Sequence, residues 1–180
     1  MSTNSTDQFF KSNVLGHPSG LFVLFFTEMW ERFSYYGMRA LLVLFLTSAL
    51  FDEGWGWPRE HALALYGTYT SLVYLTPIIG GYIADKIIGY RKAVILGALI
   101  MTLGHAAMAL ETPIALYIGL FLLVAGNGFF KPTMTSIISQ MYENHSYKKD
   151  GAFTIYYMGV NAGAFLGILL CGYLGEQWGW

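Results

Sequence analysis

Charge is scarce in this sequence. Asp, Glu, Lys and Arg make up 12% of its 180 residues, about half the share found in an average soluble domain. So little charge cannot clothe a water-exposed surface, which excludes a disordered chain and an ordinary cytosolic enzyme. Ten basic residues stand against eleven acidic ones, for a net charge of −1. No field of one sign exists to recruit nucleic acid. Cysteine is nearly absent: Cys171 is alone, so no intrachain disulfide can form and no cysteine-based metal site is expected. His17, His61, His105 and His145 lie far apart along the chain, which argues against a histidine cluster for a metal. Neither a hydrolase elbow nor a paired-histidine zinc motif occurs. Gly126-Asn127-Gly128 begins like a dinucleotide fingerprint but lacks the third glycine and a preceding strand. No cofactor is therefore expected. The first residues also lack the basic stretch and short apolar core of a signal peptide, and residues 1–19 read as a polar tail.

What is present is apolar. Hydrophobic residues reach 55% and aromatics 17%, with a mean hydropathy of +0.47. Five apolar segments run over about 20–50, 61–84, 93–110, 113–141 and 151–174. A membrane-crossing helix needs about 17–25 mostly apolar residues, and all five qualify. The connections carry the missing charge. They hold Asp52, Glu53, Arg59 and Glu60, then Asp85, Lys86, Arg91 and Lys92, then Glu111, then Glu143 to Asp150 with Lys148 and Lys149. With the spans alternating in direction, Lys11, Lys86, Arg91, Lys92, Lys148 and Lys149 fall on one side and Arg59 on the other. Basic residues mark the cytoplasmic side, so the tail is predicted inside. Trp55, Trp57, Trp178 and Trp180 then gather at the outer boundary, where indole rings favour the headgroup layer. The predicted class is an all-α integral membrane protein; a water-soluble bundle of buried helices is the plainer alternative.

Five charges remain inside the spans: Glu28, Glu31, Arg32 and Arg39 in the first, Lys131 in the fourth. Each costs about 2.5–3.5 kcal/mol at the bilayer centre on insertion scales. Such residues point to a functional site, although an ion-pair network that only orients helices is an alternative. On a helix at about 100° per residue, Glu28, Glu31, Arg32, Tyr35, Tyr36 and Arg39 share a face of about 140°. At 1.5 Å per residue, Glu28 and Lys131 lie roughly 12–15 Å from the inner end of their spans, and Tyr74 and Asn161 roughly 15–17 Å. These groups converge near the midplane, where transporter sites lie. The five charges sum to +1, so one carboxylate on a ligand neutralises them. A proton on Glu28 or Glu31 releases a cation for that ligand, which couples proton and anion binding reciprocally.

The residues in question are recognisable. Glu28-Met-Trp-Glu31-Arg32-Phe33-Ser34-Tyr35-Tyr36-Gly37 resembles the first-helix motif of the proton-dependent oligopeptide transporters, a branch of the major facilitator superfamily. Gly80-Gly81-Tyr82-Ile83-Ala84-Asp85 through Gly89 to Ala93-Val94 and on to Gly104 is similar to that family's first signature. Phe153 through Tyr156-Tyr157-Met158-Gly159-Val160-Asn161-Ala162-Gly163 is similar to its second. Three motifs in order cover nearly the whole chain.

The resemblance implies a 12-helix fold of two six-helix bundles with alternating access. This chain supplies five transmembrane helices of the amino-terminal bundle, and a sixth helix and a carboxyl-terminal bundle are its expected partners. The implied activity is proton-coupled symport of di- and tripeptides across a bacterial inner membrane, with protons as the coupling ion. Proton coupling falls to Glu28, Glu31 and Arg32, with Lys131 as salt-bridge partner. Peptide contacts fall to Arg39, Tyr36, Lys131, Tyr74 and Asn161, and the gating loop to Gly81, Asp85 and Arg91. Gly67 stands where some animal members carry a coupling histidine, so the helix-one carboxylates bear the coupling. A relative's substrate such as nitrate, and a non-transporting binding or structural membrane fragment, are the alternatives. Gly159, Gly163 and Gly167 recur every four residues, a spacing that lets helices approach closely. Pro132 removes a backbone hydrogen bond from the fourth span and is expected to kink it.

Overall fold

The structure is a computed structural model that describes residues 9–49 and 54–178, without the side chains of Glu176 and Trp178. Leu50, Asp52, Glu53, Trp180 and the indole of Trp178, all placed by the sequence reading, lie outside what is described. Five long helices account for most of the chain: α1 Ser19–Thr47, α2 Arg59–Ile83, α3 Tyr90–Met108, α4 Pro113–Met141 and α5 Lys149–Trp178. Each of the five apolar stretches of the sequence overlaps one of these helices. A single π-helical turn, Ala84–Ile88, extends α2. The segments Arg59–Ile88, Tyr90–Met108, Pro113–Met141 and Ser146–Gly175 are long and apolar enough to cross a membrane. Helix α1 has the length, yet every 18-residue window within it holds at least three of Glu28, Glu31, Arg32 and Arg39. Those charges, not its length, set it apart from the other four.

The chain divides into two compact units, Met1–Ala64 with Ile138–Trp180, and Leu65–Ile137. In the first, α1 and α5 run parallel. A methyl group at Gly159 would press on Phe25, at Gly163 on the Met29 carbonyl, and at Gly167 on the Phe33 carbonyl. One step further the roles reverse, and Gly37 lies under Cys171. The i, i+4 glycine ridge thus takes the backbone of α1 directly, the close packing expected of small residues between apolar helices.

Residues 9–18, expected as a polar tail, are folded. A 3-10 turn, Phe9–Lys11, leads into a hairpin of β1 Asn13–Val14 and β2 His17–Pro18, with Asn13 opposite Pro18. Leu15 and Gly16 at the turn have φ of 52° and 77°, the two left-handed positions that a two-residue hairpin turn demands. Such short strands show no apolar alternation, which is why the sequence reads as a tail. The hairpin docks on the segment that joins α4 to α5. Phe10 stacks on His145 at 4.0 Å and meets Tyr142 edge-on at 5.5 Å. The Lys148 ammonium donates to the Gly16 carbonyl at 2.8 Å. At the far end of α1, the chain folds back: the Trp57 amide donates to the Leu46 carbonyl at 2.7 Å, and Trp55 packs on Phe45.

In the second unit, α2, α3 and α4 meet at glycines. Gly80 of α2 leaves no room for a side chain against the Gly128 carbonyl of α4, and Gly97 of α3 faces the Gly126 carbonyl. Helix α4 runs unbroken through Pro132. Pro132 has no N–H for the carbonyl four residues back, that of Gly128. Gly80 seats itself beside that carbonyl. Thr76 adds a cross-helix bond, its hydroxyl donating to the Val124 carbonyl at 3.1 Å. Between α3 and α4, Thr112 caps α4 by accepting from the Ala115 amide at 3.2 Å, with Pro113 in the first helical position, where its missing N–H costs nothing.

Candidate functional site

Three of the expected site residues form one buried group on α1. Glu28 and Arg32 are 3% and 4% exposed. The Arg32 Nε–H reaches Glu28 Oε1 at 3.2 Å and also bonds Glu31. The i, i+4 spacing puts Glu28 and Arg32 one turn apart on the same face. One guanidinium therefore holds two carboxylates, and the group carries one net negative charge. Helix α5 supplies a further partner, since the Tyr156 hydroxyl is hydrogen-bonded to Glu28. Tyr156 is buried and lies one turn before Gly159 on the seam with α1.

Arg39 continues the same face. Its guanidinium lies over the rings of Tyr35 and Tyr36, at 5.2 and 5.5 Å. Arg32 also lies over the ring of Tyr35, at 4.9 Å. Tyr35 is thus a buried ring in contact with two cations, three residues after one and four before the other. Cations over aromatic faces gain most where water is excluded. Asn161 is exposed on α5. It is two residues from both Gly159 and Gly163, so it projects away from the α1 seam, and the structure does not bring it to the Glu28 group.

In the second unit, Lys131 and Tyr74 come together, the ammonium 4.8 Å from the ring centroid. The gating-loop candidates separate by role. Gly81 packs under Pro132, whose Cβ a side chain there would meet at 3.3 Å. Asp85, in the π turn, accepts from the Tyr90 hydroxyl, which also hydrogen-bonds Ser136 of α4. Arg91 is exposed. Tyr156, Tyr35 and Tyr90 are contacts that the sequence reading does not assign. For Tyr156 a signal exists: it is in helical register with Gly159 and Gly163, on the α1-facing side.

Among the described residues no group of three or more histidine, cysteine or carboxylate side chains is arranged for a metal.

Four segments long and apolar enough to cross a membrane, together with buried charge on α1, are the marks of a multi-pass membrane protein. The sequence model of the POT family matches residues 91–180. The chain belongs to that family. It is 41% identical over 168 residues to the peptide transporter YePEPT of Yersinia enterocolitica, covering 92% of this chain and 33% of the relative. It is 39% identical over 178 residues to a di-/tripeptide transporter of Lactococcus lactis, covering 96% of this chain and 35% of the relative. Among solved structures, it is similar to the peptide transporter POT in complex with alafosfalin, at 42% identity and a TM-score of 0.90, covering 97% of this chain and 37% of that one. A POT family transporter in complex with 5-aminolevulinic acid matches at 37% identity and 0.86, covering 91% and 34%. The chain spans about a third of the length of the curated relatives it matches.

Proposed function

We propose that these residues form the amino-terminal part of a transporter that moves di- and tripeptides across the bacterial inner membrane together with protons, by alternating access. The sixth helix and the carboxyl-terminal bundle complete it, and the hairpin end of α1 lies in the cytoplasm. The observation that carries the reading is the buried Glu28–Arg32–Glu31 group. Two carboxylates on one guanidinium leave a surplus negative charge in an apolar helix, which a proton neutralises. Protonation of either carboxylate loosens the hold on Arg32, and by linkage an anion that binds the cations favours the protonated state. Arg39, Tyr36, Lys131, Tyr74 and Asn161 contact the peptide, with the cations on its carboxylate. Asn161 both donates and accepts, as a peptide backbone requires. Gly81, Asp85 and Arg91 serve the gating loop. Relatives supply the support for substrate class: two are peptide transporters, and structural neighbours hold alafosfalin and 5-aminolevulinic acid.

The test is uptake of dialanine into proteoliposomes by the full-length transporter carrying these residues. An inward pH gradient should drive accumulation, and Glu28→Gln or Glu31→Gln should abolish the gradient's effect while proton-independent dialanine exchange survives. Gradient-driven accumulation unchanged in both variants overturns the proton-coupling assignment. Competition by nitrate and not by dipeptides overturns the substrate class.

A further inference from the structure

One buried polar contact in the first unit goes beyond the charges. The Tyr156 hydroxyl, on α5, is hydrogen-bonded to Glu28 on α1. Both residues are almost wholly buried. Close packing adjoins the contact: Gly159 and Gly163, one and two turns after Tyr156, bring the α5 backbone against Phe25 and Met29, which flank Glu28 on α1.

We propose that Tyr156 is a positioning residue for the Glu28 carboxylate, serving it as donor when ionised and as acceptor when protonated. The inference rests on the assignment of Glu28 to proton coupling. An ionised carboxylate can only accept hydrogen bonds, whereas a protonated one must also donate. A buried polar atom left without a partner is costly. Arginine can donate only, so Arg32 suits the ionised form and offers the protonated form no acceptor. A phenol does both by turning its O–H. Tyr156 therefore offers a matching partner to either state of Glu28 without movement of a helix. The other ionisable groups acting on this contact within the unit are Arg32 and Glu31, both from α1. Loss of the hydroxyl removes a charge-assisted hydrogen bond from the ionised state and a weaker neutral one from the protonated state, so Glu28 holds its proton to higher pH.

The experiment compares the pH profile of dialanine uptake for the native full-length transporter, Tyr156→Phe and Glu28→Gln, with Lys131 native throughout. Phenylalanine keeps the ring that fills the seam, so a packing role predicts an unchanged midpoint. The proposal predicts an alkaline shift on the order of one pH unit, tenfold in proton concentration, from losing one hydrogen bond to a charged group. Replacement of Tyr156 by 3-fluorotyrosine, a stronger donor of the same shape, should move the midpoint the other way. A native midpoint in Tyr156→Phe overturns the proposal, whatever happens to the maximal rate. A native profile in Glu28→Gln overturns instead the coupling assignment beneath it. Glu28→Gln flat with pH while Tyr156→Phe stays native leaves the coupling assignment standing and removes Tyr156.

Discussion

His17 Nδ1 lies 2.7 Å from the Tyr142 hydroxyl, joining the amino-terminal hairpin to the end of α4 across most of the chain. Burial and the nearby Lys148 ammonium lower the pKa of His17 from its ordinary 6.5. Burial raises that of Tyr142 to about 12. A histidine that resists protonation in the folded state stabilises docking fully above pH 6.5 and loses that contribution as pH falls below it. A tyrosine that resists ionisation contributes fully below its ordinary 10 and loses the contribution as pH rises toward 12. Hairpin docking should therefore be strongest between about 6.5 and 10. Limited proteolysis within residues 9–18 should accelerate on either side of that window. His17→Phe should flatten the acid side only. Cleavage independent of pH from 5 to 8 in the native protein rules this out.

The α1–α5 seam gives a graded prediction. Gly163→Ala should lower thermal stability in detergent, by about 1–3 kcal/mol, since the Met29 carbonyl cannot retreat without shifting a helix. Gly172 is on the same helix, but a methyl group there would find open space, with nothing within 4 Å. Gly172→Ala should be neutral, or stabilising by up to about 1 kcal/mol through helix propensity. Equal melting temperatures for the two variants would argue against the seam.

Arg32 should behave as the counter-ion of two buried carboxylates. Arg32→Met should destabilise by about 3–5 kcal/mol, because it strands buried charge. Adding Glu28→Gln and Glu31→Gln should restore most of that loss, as measured by thermal unfolding of the triple variant. Failure of the triple variant to recover would place the role of Arg32 in packing.

Lys131 and Tyr74 should couple through the ring face. Tyr74→Phe keeps the face and should leave stability within a few tenths of a kcal/mol, whereas Tyr74→Leu at this exposed site should cost about 0.5–1 kcal/mol. If both variants lose the same amount, the phenolic hydroxyl carries the interaction instead.

The helices are legible in the sequence because apolar length and charge placement are properties of contiguous residues. So is the face holding Glu28, Arg32 and Arg39, since period alone groups them. The glycine ridge at Gly159, Gly163 and Gly167 is visible as a close-packing signal, but its partner helix is not: a period says which side packs and not what it meets. Depth along the span puts Asn161 near the α1 charges. Depth ignores rotation about the helix, and rotation turns Asn161 off the seam. Tyr156 reads as one more aromatic in an aromatic-rich helix, so its link to Glu28 stays hidden until α1 and α5 are paired. The hairpin escapes the sequence because its signal is a turn conformation at Leu15 and Gly16, and leucine rarely takes one.

The parallel seam also sets a schedule for biosynthesis. Of these five helices α1 leaves the ribosome first, with Glu28, Glu31, Arg32 and Arg39 already in it, and α5 follows only after α2, α3 and α4. At ~5–20 residues per second, the ~130 residues between Phe25 and Gly159 take roughly 7–26 s to make. For that interval α1 has neither its glycine ridge nor the Tyr156 hydroxyl. The most charged of the five helices is thus made well before the glycines and the tyrosine that pack against it.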